Sequence, residues 1–118
     1  MNTILYLDDD RQSCKLIQYY LEKKGFTVIT CQNTDKARET LRNNKIDAII
    51  TDIGLPGENG LDFYEWLQAH ESYKSIPVLM VSAHAFGFDD VLTKHKDIFL
   101  SKPIFFPELI KRLNNLLS

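Results

Sequence analysis

Apolar residues in this chain fall into five short, nearly continuous runs, and between those runs they recur at helical spacing. Thr3 to Leu7, Phe26 to Thr30, Asp47 to Thr51, Val78 to Val81 and Ile98 to Leu100 read as strands. Strands this apolar suit a parallel sheet covered on both faces. A first helix is predicted from about Arg11 to Lys24, where Leu16, Ile17, Tyr20 and Leu21 form an apolar stripe and Gly25 supplies the stop. A second begins near Asn33-Thr34, both good cap residues, and turns Ala37 and Leu41 inward. A third covers Leu61 to about His70, with Phe63, Tyr64 and Leu67 as core contacts. A fourth is read over Asp89 to His95, and a fifth starts at Pro107 and carries Leu109, Ile110, Leu113, Leu116 and Leu117. Strand and helix alternate five times. That order predicts right-handed crossovers and an α/β fold, a doubly wound five-stranded parallel sheet in a three-layer sandwich.

The polar positions add a second pattern. Four of the five strands run into a polar residue where they should stop: Leu7 into Asp8-Asp9-Asp10, Thr51 into Asp52, Val81 into Ser82, and Leu100-Ser101 into Lys102-Pro103. Only the second strand, ending near Cys31, lacks an obvious reactive group. Ligands of open parallel sheets bind just beyond the carboxyl ends of the strands. Carboxylates, a hydroxyl and an ammonium would therefore gather in one crevice.

Size and composition narrow the class. The 118 residues match one domain, expected over 1–118, with enough chain to bury a core without staples. No apolar run approaches a membrane span and no leader precedes the first strand, so a cytoplasmic address is expected, with no membrane partner. The net charge of -2 and the lack of a basic cluster speak against direct nucleic acid binding. Cys14 and Cys31 form no C-x-x-C pair and read as reduced packing residues.

In the crevice, clustered carboxylates repel unless a cation neutralises them. Oxygen ligands without His or Cys favour Mg²⁺. Asp8 to Asp10 alone could equally be a solvated helix cap, since Asp at a helix start is favourable. Asp52, ending the strand that should neighbour the first, completes a candidate metal site and is itself a candidate nucleophile, because Asp forms aspartyl-phosphates. Ser82 and Lys102 offer a hydroxyl and a cation to phosphoryl oxygens.

The ordered set Ile4-Leu5-Tyr6-Leu7-Asp8-Asp9-Asp10, Asp47 to Gly60, Ile76 to Ala83 and Phe99-Leu100-Ser101-Lys102-Pro103 resembles the receiver domain of two-component response regulators, over the whole chain. The resemblance implies a flavodoxin-like (βα)5 sheet of order 2-1-3-4-5. It implies Asp52 as phospho-acceptor, and Mg²⁺ held by Asp8, Asp9, Asp52 and the backbone carbonyl of Gly54. Ser82 would be the switch hydroxyl, Lys102 the partner of the phosphoryl oxygens, and Phe99 the aromatic that rotates inward on activation. The Lys102-Pro103 bond would be cis. The partners implied are a histidine kinase or phosphotransfer protein and a downstream protein or output domain, with a possible homodimer through the fourth helix, fifth strand and fifth helix. Such a chain is a signalling receiver that catalyses only its own phosphorylation and dephosphorylation.

Departures from the pattern lie after the fourth strand. The interval from Ser82 to Lys102 is short, and His95-Lys96 stands where relatives often carry Gly-Ala. Gly54 leaves the acceptor open, and His84 lies two residues after Ser82, so both are expected to affect phosphate lifetime. His70 and His95 read as solvated, and Tyr19-Tyr20 as half surface, half core. Ile104, Phe105 and Phe106 read either as helix packing or as a partner patch. Two alternatives accompany the receiver reading. A haloacid dehalogenase-type phosphatase would use Asp8 as nucleophile and Asp10 two residues on, but needs an acidic pair after its lysine, whereas Asp89-Asp90 precede Lys102. A receiver-fold interaction module would not accept phosphate at all.

Overall fold

The computed structural model describes residues 2–82 and 99–118. Strands β1 (Thr3–Leu7), β2 (Thr27–Cys31), β3 (Ala48–Asp52), β4 (Val78–Ser82) and β5 (Phe99–Ser101) form one parallel sheet in the order β2-β1-β3-β4-β5. Helices α1 (Arg11–Lys23), α2 (Thr34–Asn43) and α3 (Gly60–Gln68) and a C-terminal helix (Phe106–Leu117) complete the described elements. The expected order and class hold. The helix read over 89–95 and residues His84, His95 and Ile98 lie outside the described residues.

Alternation along each strand divides the core in two. Leu5, Leu7, Ile49, Val78, Met80 and Phe99 face Ala37 and Leu41 of α2 and Phe63 and Leu67 of α3. Ile4, Tyr6, Ala48, Ile50, Leu79, Val81 and Leu100 face Cys14, Ile17 and Leu21 of α1 and Leu109 and Leu113 of the C-terminal helix. Each such fully buried aliphatic side chain contributes roughly 1.5–3 kcal/mol. The two-sided burial explains why the strands carry almost no polar residues.

Local chemistry sets the helix ends. Asp10 caps α1 by accepting from the Gln12 amide, Asn33 caps α2 through the Lys36 amide, and Asn59 caps α3 through the Asp62 amide. Gly25, at φ +94°, takes the left-handed conformation that ends α1. Three expectations are corrected. Leu16 is 55% exposed; the buried stripe of α1 is Cys14, Ile17 and Leu21, one register over. Strands β2 and β3 each begin and end one residue later than read, so that Cys31 and Asp52 are strand residues. His70 is half-buried, its Nδ1 2.8 Å from the Trp66 carbonyl and its ring 4.2 Å from the Trp66 ring, which shields it from water. Cys14 and Cys31 are buried free thiols, pushed up in pKa by burial, as packing residues should be. No helix among the described residues is long and apolar enough to cross a membrane.

Candidate functional site

The carboxyl ends of β1, β3 and β5 bring Asp8, Asp52 and Lys102 together. Parallel pairing of Leu7 with Thr51 puts the residues following each of them side by side. Ligand oxygens of Asp8, Asp9 and Asp52 all lie within 4.8 Å of one another. Lys102 Nζ donates to Asp52 Oδ2 at 2.7 Å and stands 3.7 Å from Asp8 Oδ2. The Lys102-Pro103 peptide bond is cis, as expected.

Asp8 and Asp52 are both held by hydrogen bonds. Asp8 is 1% exposed. Its Oδ2 accepts from the Tyr6 hydroxyl at 2.9 Å, its Oδ1 from the Asp10 amide at 3.0 Å, and its own amide donates to the Cys31 carbonyl at 3.0 Å. The Cys14 thiol donates to the Asp8 carbonyl at 3.3 Å. Asp52, its side chain 12% exposed, receives the Gly54 amide on Oδ1 at 3.0 Å. Asp9 is exposed at the mouth. Of the acidic run, Asp10 alone turns away: besides the Gln12 amide it accepts from the Ser13 hydroxyl at 2.9 Å, and these bonds hold its carboxyl below the usual range. A capping Asp10 is not placed for the acid role that the phosphatase alternative requires.

The electrostatics follow from burial and charge. Burial pulls Lys102 down, but the hydrogen bond and charge of Asp52, joined by Asp8, outweigh it and leave the ammonium above its ordinary pKa. Burial first, then the Asp8 charge, push the Tyr6 phenol far up, so it stays a neutral donor. The site therefore presents a protonated lysine and a neutral phenol to its acids.

Ser82 ends β4, half-buried, in register with Ser101, and its carbonyl accepts from the Lys102 amide at 2.9 Å. Met80 pairs with Phe99, so strand alternation places Ser82 and Phe99 on one face of the sheet. Phe99 is already buried, at 8% exposed. The expected inward rotation thus finds the ring inside, because Met80 and the α2–α3 side of the core already receive it.

Four features escaped the sequence reading. Tyr6 supports Asp8 and was signalled only as the one aromatic in an otherwise aliphatic run from Ile4 to Leu7. Cys14 touches the Asp8 backbone, a contact that no spacing rule reveals. Gly60 packs against Asp52: a Cβ there would stand 2.4 Å from the Asp52 carbonyl oxygen, so only glycine fits. Glu58 binds Arg38, twenty residues earlier in the chain. Of the apolar run, Phe106 stacks on Tyr20 with ring centroids 4.2 Å apart, while Phe105 is 69% exposed.

The donor set suits Mg²⁺. It is all carboxylate, and two ligand oxygens on an ion with bonds of about 2.0–2.1 Å can stand up to roughly 4.2 Å apart. A 4.8 Å set needs only a small inward shift.

Comparisons with known proteins give the family of the chain. The family model described as response regulator receiver domain matches residues 4–114. The transcriptional regulatory protein CpxR of Escherichia coli K12 is 35% identical over 99% of this chain and 50% of its own length, so the chain spans about half of that relative. The polar-differentiation response regulator DivK of Brucella anthropi is 28% identical over 98% of this chain and 96% of its own length. The crystal structure of the response regulator protein TrrA from Thermotoga maritima, in complex with Mg²⁺-BeF, superposes with a TM-score of 0.87 at 25% identity, covering 99% of this chain and 100% of that one. The chain belongs to the response regulator receiver domain family, the phospho-accepting signalling modules of two-component systems.

Proposed function

We propose that Asp52 accepts the phosphoryl group, and that Asp8, Asp9, Asp52 and the backbone carbonyl of Gly54 hold Mg²⁺. One observation carries this reading: the oxygens of Asp8, Asp9 and Asp52 converge within 4.8 Å while an ammonium sits on Asp52. Bound Mg²⁺ would offset the charge that builds on the phosphoryl oxygens during transfer. The residues of the chain do the rest. The Gly54 amide on Oδ1 and the Lys102 ammonium on Oδ2 orient Asp52. The P–N bond of a donor phosphohistidine breaks as a P–O bond to the Asp52 carboxylate forms, and the electron pair stays with the leaving imidazole. Lys102 exchanges its carboxylate partner for a phosphoryl oxygen, and the Ser82 hydroxyl donates to another.

The signal is then a shift between two packings of Ser82 and Phe99, of which the buried Phe99 is one. The surface changed is the region after β4, β5 and the C-terminal helix, which also serves as a dimer face. The donor is a histidine kinase or phosphotransfer protein, and the output goes to a downstream protein or output domain. The whole of 1–118 acts as one receiver domain in the cytoplasm, and its only catalysis is of its own phosphorylation and dephosphorylation. Gly54, exposed beside the acceptor, and His84 set how long the phosphate lasts.

The test is incubation with Mg²⁺ and acetyl phosphate, followed by mass mapping. A hydroxylamine-sensitive adduct on Asp52, absent from Asp52→Asn, is expected. An adduct on Asp8 would favour the phosphatase reading, and a chain that takes no adduct would favour a phosphate-independent module.

A further inference from the structure

The loop between β3 and α3 carries two glycines, Gly54 and Gly57, which add little stiffness of their own. Gly54 is exposed, and a Cβ there would meet only Asp52 Oδ1, at 3.8 Å. Gly57 sits at φ +75°, and a Cβ there would meet nothing within 4 Å. The start of the loop is pinned by the buried side chains of Ile53 and Leu55 and by the Gly60 amide donating to the Ile53 carbonyl at 2.9 Å. Its far end is pinned by Glu58.

Both Glu58 oxygens accept from Arg38 Nη2, at 2.6 and 2.7 Å, and Thr34 helps Arg38 hold the carboxyl below the ordinary glutamate range. Thr34 opens α2 and Arg38 lies one turn on, so the acid docks at a helix N-terminus, where negative charge is favoured. Arg38 is itself fixed. Its guanidinium lies 4.6 Å from the Trp66 ring centroid and 5.6 Å from that of Phe63, both on α3, and its Nη1 is 3.6 Å from Asp35. The Arg38 side chain is only 19% exposed. An ordinary surface pair loses most of its attraction to water and side-chain entropy. This one is pre-ordered by an aromatic ledge that has already immobilised the longer partner.

We infer that Arg38 and Glu58 form a positioning pair for the phosphorylation site, setting the orientation of the Gly54 carbonyl by closing its loop against α2. The inference rests on the proposed Mg²⁺ role of Gly54. Neither residue touches the acceptor, and the effect runs through the five residues of backbone between Asp52 and Glu58. The pair therefore acts on metal affinity rather than on the transfer step. It also couples α2, the loop and α3, because one guanidinium touches a residue of each.

The experiment titrates Mg²⁺ into the full chain by amide NMR shifts, and measures labelling of Asp52 by acetyl phosphate at saturating Mg²⁺. Arg38→Met and Glu58→Gln should each raise the Mg²⁺ half-saturation about tenfold, the usual scale for a lost outer-shell support, with the maximal labelling rate within about twofold of wild type. The double variant Arg38→Met/Glu58→Gln should be no worse than either single one, because the two residues act as a unit. Arg38→Lys, which keeps the charge and loses the planar stack, should fall between. Unchanged half-saturation in the single variants, additive losses in the double, or a fall in maximal rate equal to the loss of affinity would each overturn the inference. Wild type is the control for the reading beneath it. If wild type labels at Asp52 while Arg38→Met titrates like wild type, only the positioning pair fails. If wild type takes no adduct at Asp52, the site assignment fails and the pair with it.

Discussion

Lys102 Nζ lies 2.7 Å from Asp52 Oδ2 and 3.7 Å from Asp8 Oδ2, so one ammonium bridges the acids at the carboxyl ends of two neighbouring strands. The bridge has two opposed consequences. It relieves repulsion between carboxylates that are largely out of water, which favours the folded chain before any metal arrives. It also places a fixed positive charge beside the oxygens that Mg²⁺ would use.

Lys102→Met should separate these effects. With the competing ammonium gone, Mg²⁺ is expected to bind more tightly, by roughly 1–2 kcal/mol or about five- to thirtyfold at the effective dielectric of a partly exposed site. The metal-free variant should unfold at lower temperature than wild type, and saturating Mg²⁺ should raise its Tm by more. Calorimetric titration and thermal scans with and without Mg²⁺ check both signs. Weaker Mg²⁺ binding in the variant would show that Lys102 organises the acids more than it competes for them.

Tyr6→Phe removes the phenol that donates to Asp8 Oδ2 and nothing else of comparable size. A buried carboxylate oxygen short of a donor costs about 1–3 kcal/mol, so the urea midpoint should fall with the slope unchanged. Loss of a group that orients a metal ligand typically weakens binding by roughly ten- to a hundredfold, so Mg²⁺ affinity should drop as well. A variant that is less stable yet binds Mg²⁺ like wild type would confine Tyr6 to the core.

The two glycines that bracket the acceptor loop should behave oppositely. A Cβ on Gly60 would stand 2.4 Å from the Asp52 carbonyl oxygen and 2.9 Å from Ile53 Cα, and backbone cannot swing aside as a side chain can. Gly60→Ala is expected to cost about 1–3 kcal/mol, the scale of overpacking, and to slow labelling of Asp52 because the acceptor's own backbone moves. A Cβ on Gly54 makes only ordinary contact, so Gly54→Ala should be nearly neutral in stability while altering how long the phosphate survives. Equal stability losses at the two positions, measured by urea unfolding, would contradict this.

What the sequence disclosed, and what it hid, divides along a physical line. The sheet was legible because burial on both faces leaves a strong imprint: Ile4 to Leu7, Ile49 to Thr51 and Val78 to Val81 can hardly sit anywhere else. Asp8, Asp9, Asp52 and Lys102 were legible because strand ends in a parallel sheet share one edge, so one-dimensional positions translate directly into proximity. Leu16 misled because four apolar residues at helical spacing outnumber the face that α1 has to bury, and Cys14 takes the place given to Leu16. His70 misled because a polar ring near a helix end looks solvated until Trp66 and Tyr73 are seen beside it. Asp10 could not be told from its neighbours by type; only the direction in which the chain enters α1 decides that it caps. Arg38 and Glu58 were invisible because their pairing depends on how a loop folds across a helix, and neither residue departs from what a solvated surface would carry.

The Arg38–Glu58 pair also makes a pH signature. Burial alone would raise the Glu58 pKa, but the Thr34 hydroxyl and the Arg38 guanidinium outweigh it and hold the carboxyl below the ordinary glutamate range. A depressed folded-state pKa means that the unfolded chain takes up protons first as pH falls. The stability contributed by Glu58 is therefore fully present above the unfolded value of about 4.3 and fades as pH drops through the lower folded value. The side chain is 30% exposed, so solvent screening limits the contribution to about 1 kcal/mol. Urea unfolding of wild type and Glu58→Gln should show a constant gap between pH 7 and pH 5 that narrows towards pH 3.5. Every other ionisable group is common to both proteins and cancels in the difference, so the narrowing belongs to Glu58. A gap that persisted undiminished at pH 3.5 would mean that Glu58 supports the loop through packing rather than through its charge.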